Sequence, residues 1–594
     1  MFVYISLGKN KKYYYMLGNL IKYSDFYTAP IPDNPIELII DIPKEELIAT
    51  IVAINTRLKP LGVSHFDDSR DTQINCLRTI FLDNENHIEQ SFCLSIINKY
   101  IITPSNNNLF SRVTCLYALQ EILNFNGFTK ETPEYNFDNR ERIFKFLLIA
   151  NNQILKGDSN YKKEGYEQLG NDFFEFFMFR ELHHNQYNEC SNSINVFYKS
   201  WFLLHKIENH HIFSNHFKNY LTWYYKVENA DAFLKNIFWA YIKSYDETLK
   251  LRYLNVLKSE LDTIKVLDAF SADREFKVLE KDNLEVFDFS RIKKSPLFKG
   301  RMKDEKDTIG YLILDDGFFL EKAYSLLIND FWFDYLKPNE ICTRKDWGSF
   351  IGTDFYEPFL CEIFLESFSN TPEFIFRSTD ELKFKIEGRP IEYADFYIRE
   401  KQNIALIEAK SSYLAIINGY KTVSTIDDFR KLNLEEFYDD YGLVQLVSKT
   451  IKKFHLYKNH IADDKFNSNR KVQLYPILIV NDPIFSSSLA SFVFKRKFNE
   501  LLEKEGINKK AKEHNIKDLC IMNVSHLQDM EQSLIDKKNN FFKILDTYLL
   551  MSNYNNKANF NRYNFLRTFD HVLHAKIKEG LIANRIKGLK WLEE

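Results

Sequence analysis

Apolar and polar positions follow two rhythms along this chain, and the change between them divides it. From about 85 to 270 apolar residues recur at helical spacing. Leu109, Val113, Leu116 and Leu123 fall on one face, and 193–213 and 230–267 read as further amphipathic stretches with few glycines or prolines inside them. No fixed-period repeat runs through them, so no solenoid class is implied. Residues 1–84 are mixed: 2–7 reads as a strand, Pro30-Ile31-Pro32 as a break and 44–58 as a helix. Residues 271–310 are charged and poor in periodicity, which predicts a solvated linker; a flexible basic arm touching phosphates is the alternative.

Beyond 310 the rhythm shortens. Residues 311–314 read as a strand, 315–317 as a turn and 320–336 as a helix. A helix is expected over 352–368, then strands at 373–377 and 382–386. Two strands, 391–399 and 404–409, flank the polar break Glu400-Lys401-Gln402-Asn403. A strong helical pattern covers 443–457. An apolar strand follows at 472–480, with Pro476 inside it suggesting a bulge or an edge position. Helix 487–505, strand 519–524 and helix 527–551 complete the pattern. The expected organisation is a mixed segment 1–84, a helical domain 85–270, a linker 271–310, an α/β domain 311–550 and a basic helical tail 551–594.

The paired strands carry the chemistry. If the turn is centred between Lys401 and Gln402, opposed residues have numbers that sum to 803, and Asp395 faces Glu408. Directly opposed side chains on one sheet face have Cβ atoms about 4.5–5.5 Å apart. Lys410 lies on the same face as Glu408 because side chains alternate. Two close carboxylates repel unless a proton or a cation lies between them. A hard divalent ion with oxygen ligands suits that spot, and Mg²⁺ needs only one or two carboxylates plus water and phosphate oxygens. An adjacent lysine adds positive charge where a phosphate or attacking water would sit, as metal-assisted phosphodiester hydrolysis requires.

Asp395 followed by Glu408-Ala409-Lys410 resembles the signature of the PD-(D/E)xK nuclease superfamily, in which an acid on one strand precedes Glu-x-Lys on the next. Acid-x-base triplets also arise by chance, as at Glu275-Phe276-Lys277. This copy differs in closing an apolar strand opposite an acid. The resemblance implies that Asp395 and Glu408 hold a metal, Mg²⁺ or Mn²⁺, joined by the carbonyl of Ala409. It implies that Lys410 orients the nucleophilic water or stabilises the pentavalent phosphate. Ala394 stands where the eponymous motif has proline. A helix preceding the catalytic strands often supplies another acid in that superfamily, and Glu357, rather than Glu362 or Glu366, fits the placement. Gln445 resembles the glutamine that some branches carry on the helix after the lysine. The order of elements from 345 to 550 matches a restriction-endonuclease-like α/β core. The fold expected is therefore such a core behind a largely α-helical N-terminal half.

Composition narrows the class further. With 594 residues the chain is too long for one core. A net charge of −3 supplies no global field toward nucleic acid, so phosphate affinity must come from local patches. Lys449, Lys452 and Lys453, the runs Lys495-Arg496-Lys497 and Lys509-Lys510-Lys512, and basic residues of the tail (Arg562, Arg567, Lys576 and Lys578 among them) are the candidates. Tail aromatics Tyr554, Phe560, Tyr563 and Phe565 are compatible with base stacking or with an apolar cap. The seven cysteines are scattered without a C-x-x-C pair, which fits reduced thiols, and no signal peptide or bilayer-length apolar run is present, so the expected location is the cytoplasm. His183, His184, Cys190, His205, His210, His211 and His216 have spacings that only approximate a zinc set, and helix-face histidines are the commoner reading. No Walker A string is present, which argues against an ATP motor in this chain.

The function expected is a metal-dependent DNA endonuclease. A standalone nuclease joined to a helical region looks like an effector of bacterial anti-phage defence or restriction. Its control is expected from homo-oligomerisation or from a separate sensor or ATPase subunit. The alternatives are a nuclease-fold scaffold that binds nucleic acid without cutting it, and an RNase.

Overall fold

The computed structural model describes residues 2–6, 12–16, 19–59, 67, 69–81, 87–103, 107–128, 137–160, 178, 192–246, 251–271, 289–300, 307–368, 373–412, 442–461, 463, 466–467, 470–556 and 567–576. It is a mixed α/β protein whose chain divides into two compact units, Met1–Gln168 with Asn215–Phe331, and Leu169–Ser214 with Trp332–Glu594. The boundaries differ from those the periodicity suggested, because one helix of the expected 85–270 domain, Ser193–Glu208, belongs to the C-terminal unit.

The first unit is helical with a small sheet. The expected helix at 44–58 is present as Lys44–Leu58, and Val113, Leu116 and Leu123 are buried on Arg112–Asn124. The expected helical run 230–267 is broken. After helix Ala230–Lys243 the chain forms strands Tyr245–Asp246 and Leu251–Leu257 before helix Leu261–Ala269. Leu251–Leu257 pairs antiparallel with Thr308–Ile313, which pairs with Leu297–Lys299. Alternating apolar residues in a strand of this length satisfy a sheet face as readily as a helix face, and tertiary pairing decides. The expected linker thus supplies strand Leu297–Lys299 and helix Ser290–Lys294; residues 272–288 lie outside the described residues.

Strands and helices of the second unit are labelled here in chain order. The strands are β1 (Phe374–Arg377), β2 (Lys383–Ile386), β3 (Arg389–Glu392), β4 (Phe396–Glu400), β5 (Asn403–Lys410), β6 (Val472–Val480), β7 (His514–Ile516) and β8 (Cys520–Asn523). The helices are α1 (Ser193–Glu208), α2 (Glu357–Phe368), α3 (Ser488–Lys504), α4 (Val524–Ile535), α5 (Phe541–Met551) and α6 (Phe569–Lys576). The main sheet has the order β7-β6-β5-β4-β1, with β8 also paired to β6. β1, β4 and β5 are antiparallel neighbours; β5, β6, β7 and β8 run parallel. β2 and β3 form a separate hairpin, so the single strand expected over 391–399 is interrupted at Tyr393–Asp395.

Pro476 sits in the middle of β6, which is a central strand and not an edge. β7 pairs with β6 as far as Leu474 and β8 resumes at Ile477. Lys517 N–H donates to the Leu474 carbonyl, so alternate residues of β6 from Leu474 point toward this interrupted neighbour. The N–H that proline lacks therefore falls where no partner strand runs.

Helices cover both faces of the sheet. On one face Phe364 of α2 packs on Phe376 and Phe396, and Phe542 of α5 packs on Tyr475. Full burial of one such ring is worth about 1.5–3 kcal/mol. α1 lies against α2 through Tyr198 and Phe202 on Phe359, and Asn195 binds Asp529 of α4 at 2.7 Å. On the other face lies the helical run 443–457, where Tyr393 donates to the Thr450 carbonyl at 2.9 Å. That face also holds the buried Arg399–Asp463 ion pair, whose carboxylate accepts from Tyr397. Among the described residues no helix is long and apolar enough to cross a membrane.

Candidate active site

The register of β4 and β5 follows from the polar break. Phe396 faces Ile407 and Glu400 faces Asn403, so the partner numbers sum to 803 as the centred turn requires. Lys401 takes the positive φ of 57° that a two-residue reversal needs. One step beyond the ladder Asp395 reaches the end of β5, and its Oδ2 accepts from the Ala409 N–H at 2.6 Å. The N–H and C=O of a strand residue point the same way, so the Ala409 carbonyl faces the Asp395 side. Glu408 is 4% exposed, and Lys410 Nζ lies 2.7 Å from its Oε1. Asp395, Glu408 and Lys410 thus meet at one end of the sheet, where β4 begins and parallel β5 and β6 end together.

Glu357 and Gln445 join them from helices on either side. Glu357 opens α2 immediately after a wide, π-type segment, Phe350–Tyr356. Thr379 Oγ1 lies 3.4 Å from Glu357 Oε2 and donates to the Asp395 carbonyl at 3.0 Å, which ties the two acids together. Gln445 opens a second π-type segment, Gln445–Ile451, and its Oε1 lies 3.4 Å from Lys410 Nζ. Such wide turns are rare and frequent at functional sites.

The electrostatics are those of an overfilled site. Burial pushes the Glu408 carboxyl up to about 8; nearby Asp395 adds to the shift and Lys410 opposes it. Burial raises Asp395 as well, against the Ala409 N–H and Lys410. Burial, then Asp395 and Glu392, push Glu357 up to about 7. Burial would depress Lys410, but Glu408, Asp395 and Glu357 together hold it above its ordinary value. Of the three carboxyls only Glu408 is in direct contact with the Lys410 ammonium group, so burial and mutual repulsion favour proton uptake by the metal-free cluster. The donor set is carboxylate, carboxylate and carbonyl oxygen, which suits a hard divalent ion.

Gly442 carries no sequence signal of its own, yet it closes this site. Its φ is +75°, and an added Cβ would lie 3.0 Å from Lys410 Cε and Leu478 Cδ1 and 3.1 Å from Glu408 Cγ. Thr379, Glu392 and Lys383 were also not apparent in the sequence, because the turn at Thr379 and the β2–β3 hairpin that bring them in lie outside the two core strands.

Other expected residues go elsewhere. Glu362 accepts from Tyr198 of α1. Lys449 acts on Glu408, but Lys452 pairs with Glu505 at 2.5 Å and Lys453 lies over the Tyr457 ring. Lys495 is a core residue: its Nζ lies 2.6 Å from Ser552 Oγ and 4.0 Å from the Tyr548 ring centroid. Lys509 pairs with Asp518. Tyr554 packs on Phe492 and accepts from Asn499, consistent with the cap alternative. Arg562, Lys578 and the tail aromatics Phe560, Tyr563 and Phe565 lie outside the described residues, as do His183, His184 and Cys190. Of the other histidines, His205 contacts the Trp201 carbonyl through Nδ1, and His210 stacks on Phe213.

No family model, curated protein or solved structure matches this chain.

Proposed function

We propose that the C-terminal unit is a PD-(D/E)xK-type nuclease that hydrolyses phosphodiester bonds of DNA with Mg²⁺ or Mn²⁺. One observation carries the reading: Asp395 and Glu408 converge with Lys410 beside them, and burial pushes both carboxyls upward. Asp395, Glu408 and the Ala409 carbonyl would hold the ion. When bound, the ion would neutralise the acids and polarise the scissile phosphate. Lys410 then exchanges its Glu408 contact for the attacking water or the developing phosphorane charge. Gln445 holds the ammonium group in position, and Glu357, fastened by Thr379, is the acid nearest to assist in binding or proton transfer. Lys449 and Lys383, which oppose the charge of Glu408 and Glu357, are the further cations that would meet substrate phosphates.

The test is a panel of duplex DNA, single-stranded DNA and RNA, each with full-length protein and Mg²⁺, Mn²⁺ or EDTA. Cleavage of DNA that needs the metal is expected, and Lys410→Ala should lower it about a thousand-fold with the circular dichroism unchanged. Cleavage confined to RNA would reassign the substrate. Undiminished cutting by the Lys410 variant, or no metal-dependent cutting of any substrate, would overturn the reading. Calorimetry should show Mg²⁺ binding to the wild type and its loss in Asp395→Asn, whereas a non-cutting scaffold would show no carboxylate-dependent binding.

A further inference from the structure

A second group of ligand-type side chains lies at another edge of the same unit. His455 belongs to the short helix Phe454–Tyr457, and Glu513 and His514 stand where the chain enters β7. One ligand atom from each lies within 4.8 Å of the others, the only such trio of His, Cys, Asp or Glu among the described residues. His455 Nε2 and His514 Nδ1 are 2.8 Å apart. The ring centroids are 5.0 Å apart with 28° between the planes. That separation is close to the nitrogen gap plus the two ring radii, so the nitrogens point at each other.

The tautomers follow from the partners. His514 Nε2 lies 3.0 Å from the Asn508 carbonyl oxygen, which can only accept. Nε2 therefore carries the hydrogen and Nδ1 presents a lone pair. A backbone carbonyl on the far ring nitrogen is the arrangement that fixes metal-binding histidines. The Asn508 loop is itself held, since Ile516 N–H donates to the Lys509 carbonyl at 2.7 Å. Burial, then His514 and Lys458, keep His455 below its ordinary pKa, while Glu513 opposes them. The neutral imidazole is the form that binds metal.

We propose that His455, Glu513 and His514 form a site for a zinc-class divalent transition-metal ion, which fastens the helical run bearing Gln445 to the sheet edge at β7. Two imidazoles and a carboxylate suit Zn²⁺, Co²⁺ or Ni²⁺; Mg²⁺ prefers oxygen ligands. On binding, the one ring proton of neutral His455 would move from Nε2 to Nδ1 through solvent, leaving an Nε2 lone pair, and the ion would take both nitrogens and one Glu513 oxygen, with water in the fourth position. Zn–N bonds of about 2.0–2.1 Å at a tetrahedral angle put the nitrogens about 3.3 Å apart. The 2.8 Å gap must therefore open by about 0.5 Å, within reach of side-chain rotation at half-buried positions. This site stands independently of the nuclease reading.

The experiment uses full-length protein, stripped with EDTA, dialysed and then kept in excess Mg²⁺. Zn²⁺ affinity is measured by competition with a chromophoric chelator, and Co²⁺ is added separately to read its visible ligand-field bands. One tight Zn²⁺ per chain is expected, with four-coordinate Co²⁺ bands. His455→Gln and His514→Gln should each weaken binding at least a hundred-fold, and the exposed Glu513→Gln about ten-fold. Asp395→Asn should retain the ion, so failure of the nuclease reading would leave this result in place. Wild-type affinity in both histidine variants, or no Zn²⁺ binding by the wild type in Mg²⁺, would overturn the proposal. Should a histidine variant lose its circular dichroism signal, unchanged binding by Glu513→Gln with no Co²⁺ bands in the wild type would do the same.

Discussion

Two buried groups of charge in this protein have opposite fates. In the first unit Asp315 is 3% exposed and accepts from Arg112 through both carboxylate oxygens, from Asn55 at 2.9 Å and from the Phe318 N–H at 2.9 Å. Burial alone would raise its pKa, yet Arg112 and these hydrogen bonds hold it below the ordinary carboxylate value. In the second unit Asp395, Glu408 and Glu357 are all pushed upward, with Lys410 as the cation in direct contact. A charge buried for architecture is matched where it stands. The second cluster carries a surplus of one sign, the kind of asymmetry found where a ligand completes a site.

The largest expected effect breaks the first half of the comparison. Arg112→Ala leaves Asp315 buried without its cation and should cost about 3–5 kcal/mol. Thermal unfolding of the first unit checks it, and a cost below about 1 kcal/mol would mean that Asp315 is not held as described.

How far this contrast could be read from residues alone depends on the range of the forces. The 803 register was legible because a polar turn and strict alternation fix strand pairing locally. Strand β6 was legible at full length for another reason, a near-continuous apolar run of strand length. Lys495 could not be recognised as buried, since its neighbours Tyr548 and Ser552 come from α5 and its end. The assignment of α1 to the C-terminal unit and the gap beside Pro476 likewise depend on partners distant in sequence. The two π-type segments, one leading into Glu357 and one opening at Gln445, have no pattern in the apolar spacing. The acids were visible as residue types, but their surplus of charge was not, because it depends on which cations fail to arrive.

Gly442→Ala sharpens the second half. The new methyl would crowd Lys410 and Glu408 at a φ of +75°, so a cost of about 1–3 kcal/mol is expected together with reduced cleavage. Gly388 offers the control: its φ is +80° with nothing within 4 Å, so Gly388→Ala should show backbone strain without loss of activity. Equal cleavage by the two variants would mean that Gly442 does not set the position of the lysine.

The smallest effect has the most informative sign. Glu357 rises from an ordinary 4.5 to about 7 in the folded protein. Between those values the folded chain binds a proton that the unfolded chain has lost, so stability from this group is present at low pH and declines as pH rises through 7. Asp315 has the reverse dependence: its stabilisation is present above the ordinary carboxylate range and is lost as pH falls through its depressed value. Glu357→Gln removes the repulsion from Asp395 and should stabilise metal-free protein at pH 8 by about 1 kcal/mol after allowance for solvent screening, with little gain at pH 5. Hydrogen exchange on β4 and β5 in EDTA reads this locally, without requiring the two units to unfold together. Mg²⁺ should raise protection of the wild type more than that of the variant, because the ion relieves the same repulsion. A Glu357→Gln protein no more protected than wild type at pH 8 would show that the three carboxyls do not compete, and the contrast with Asp315 would rest on Asp395 and Glu408 alone.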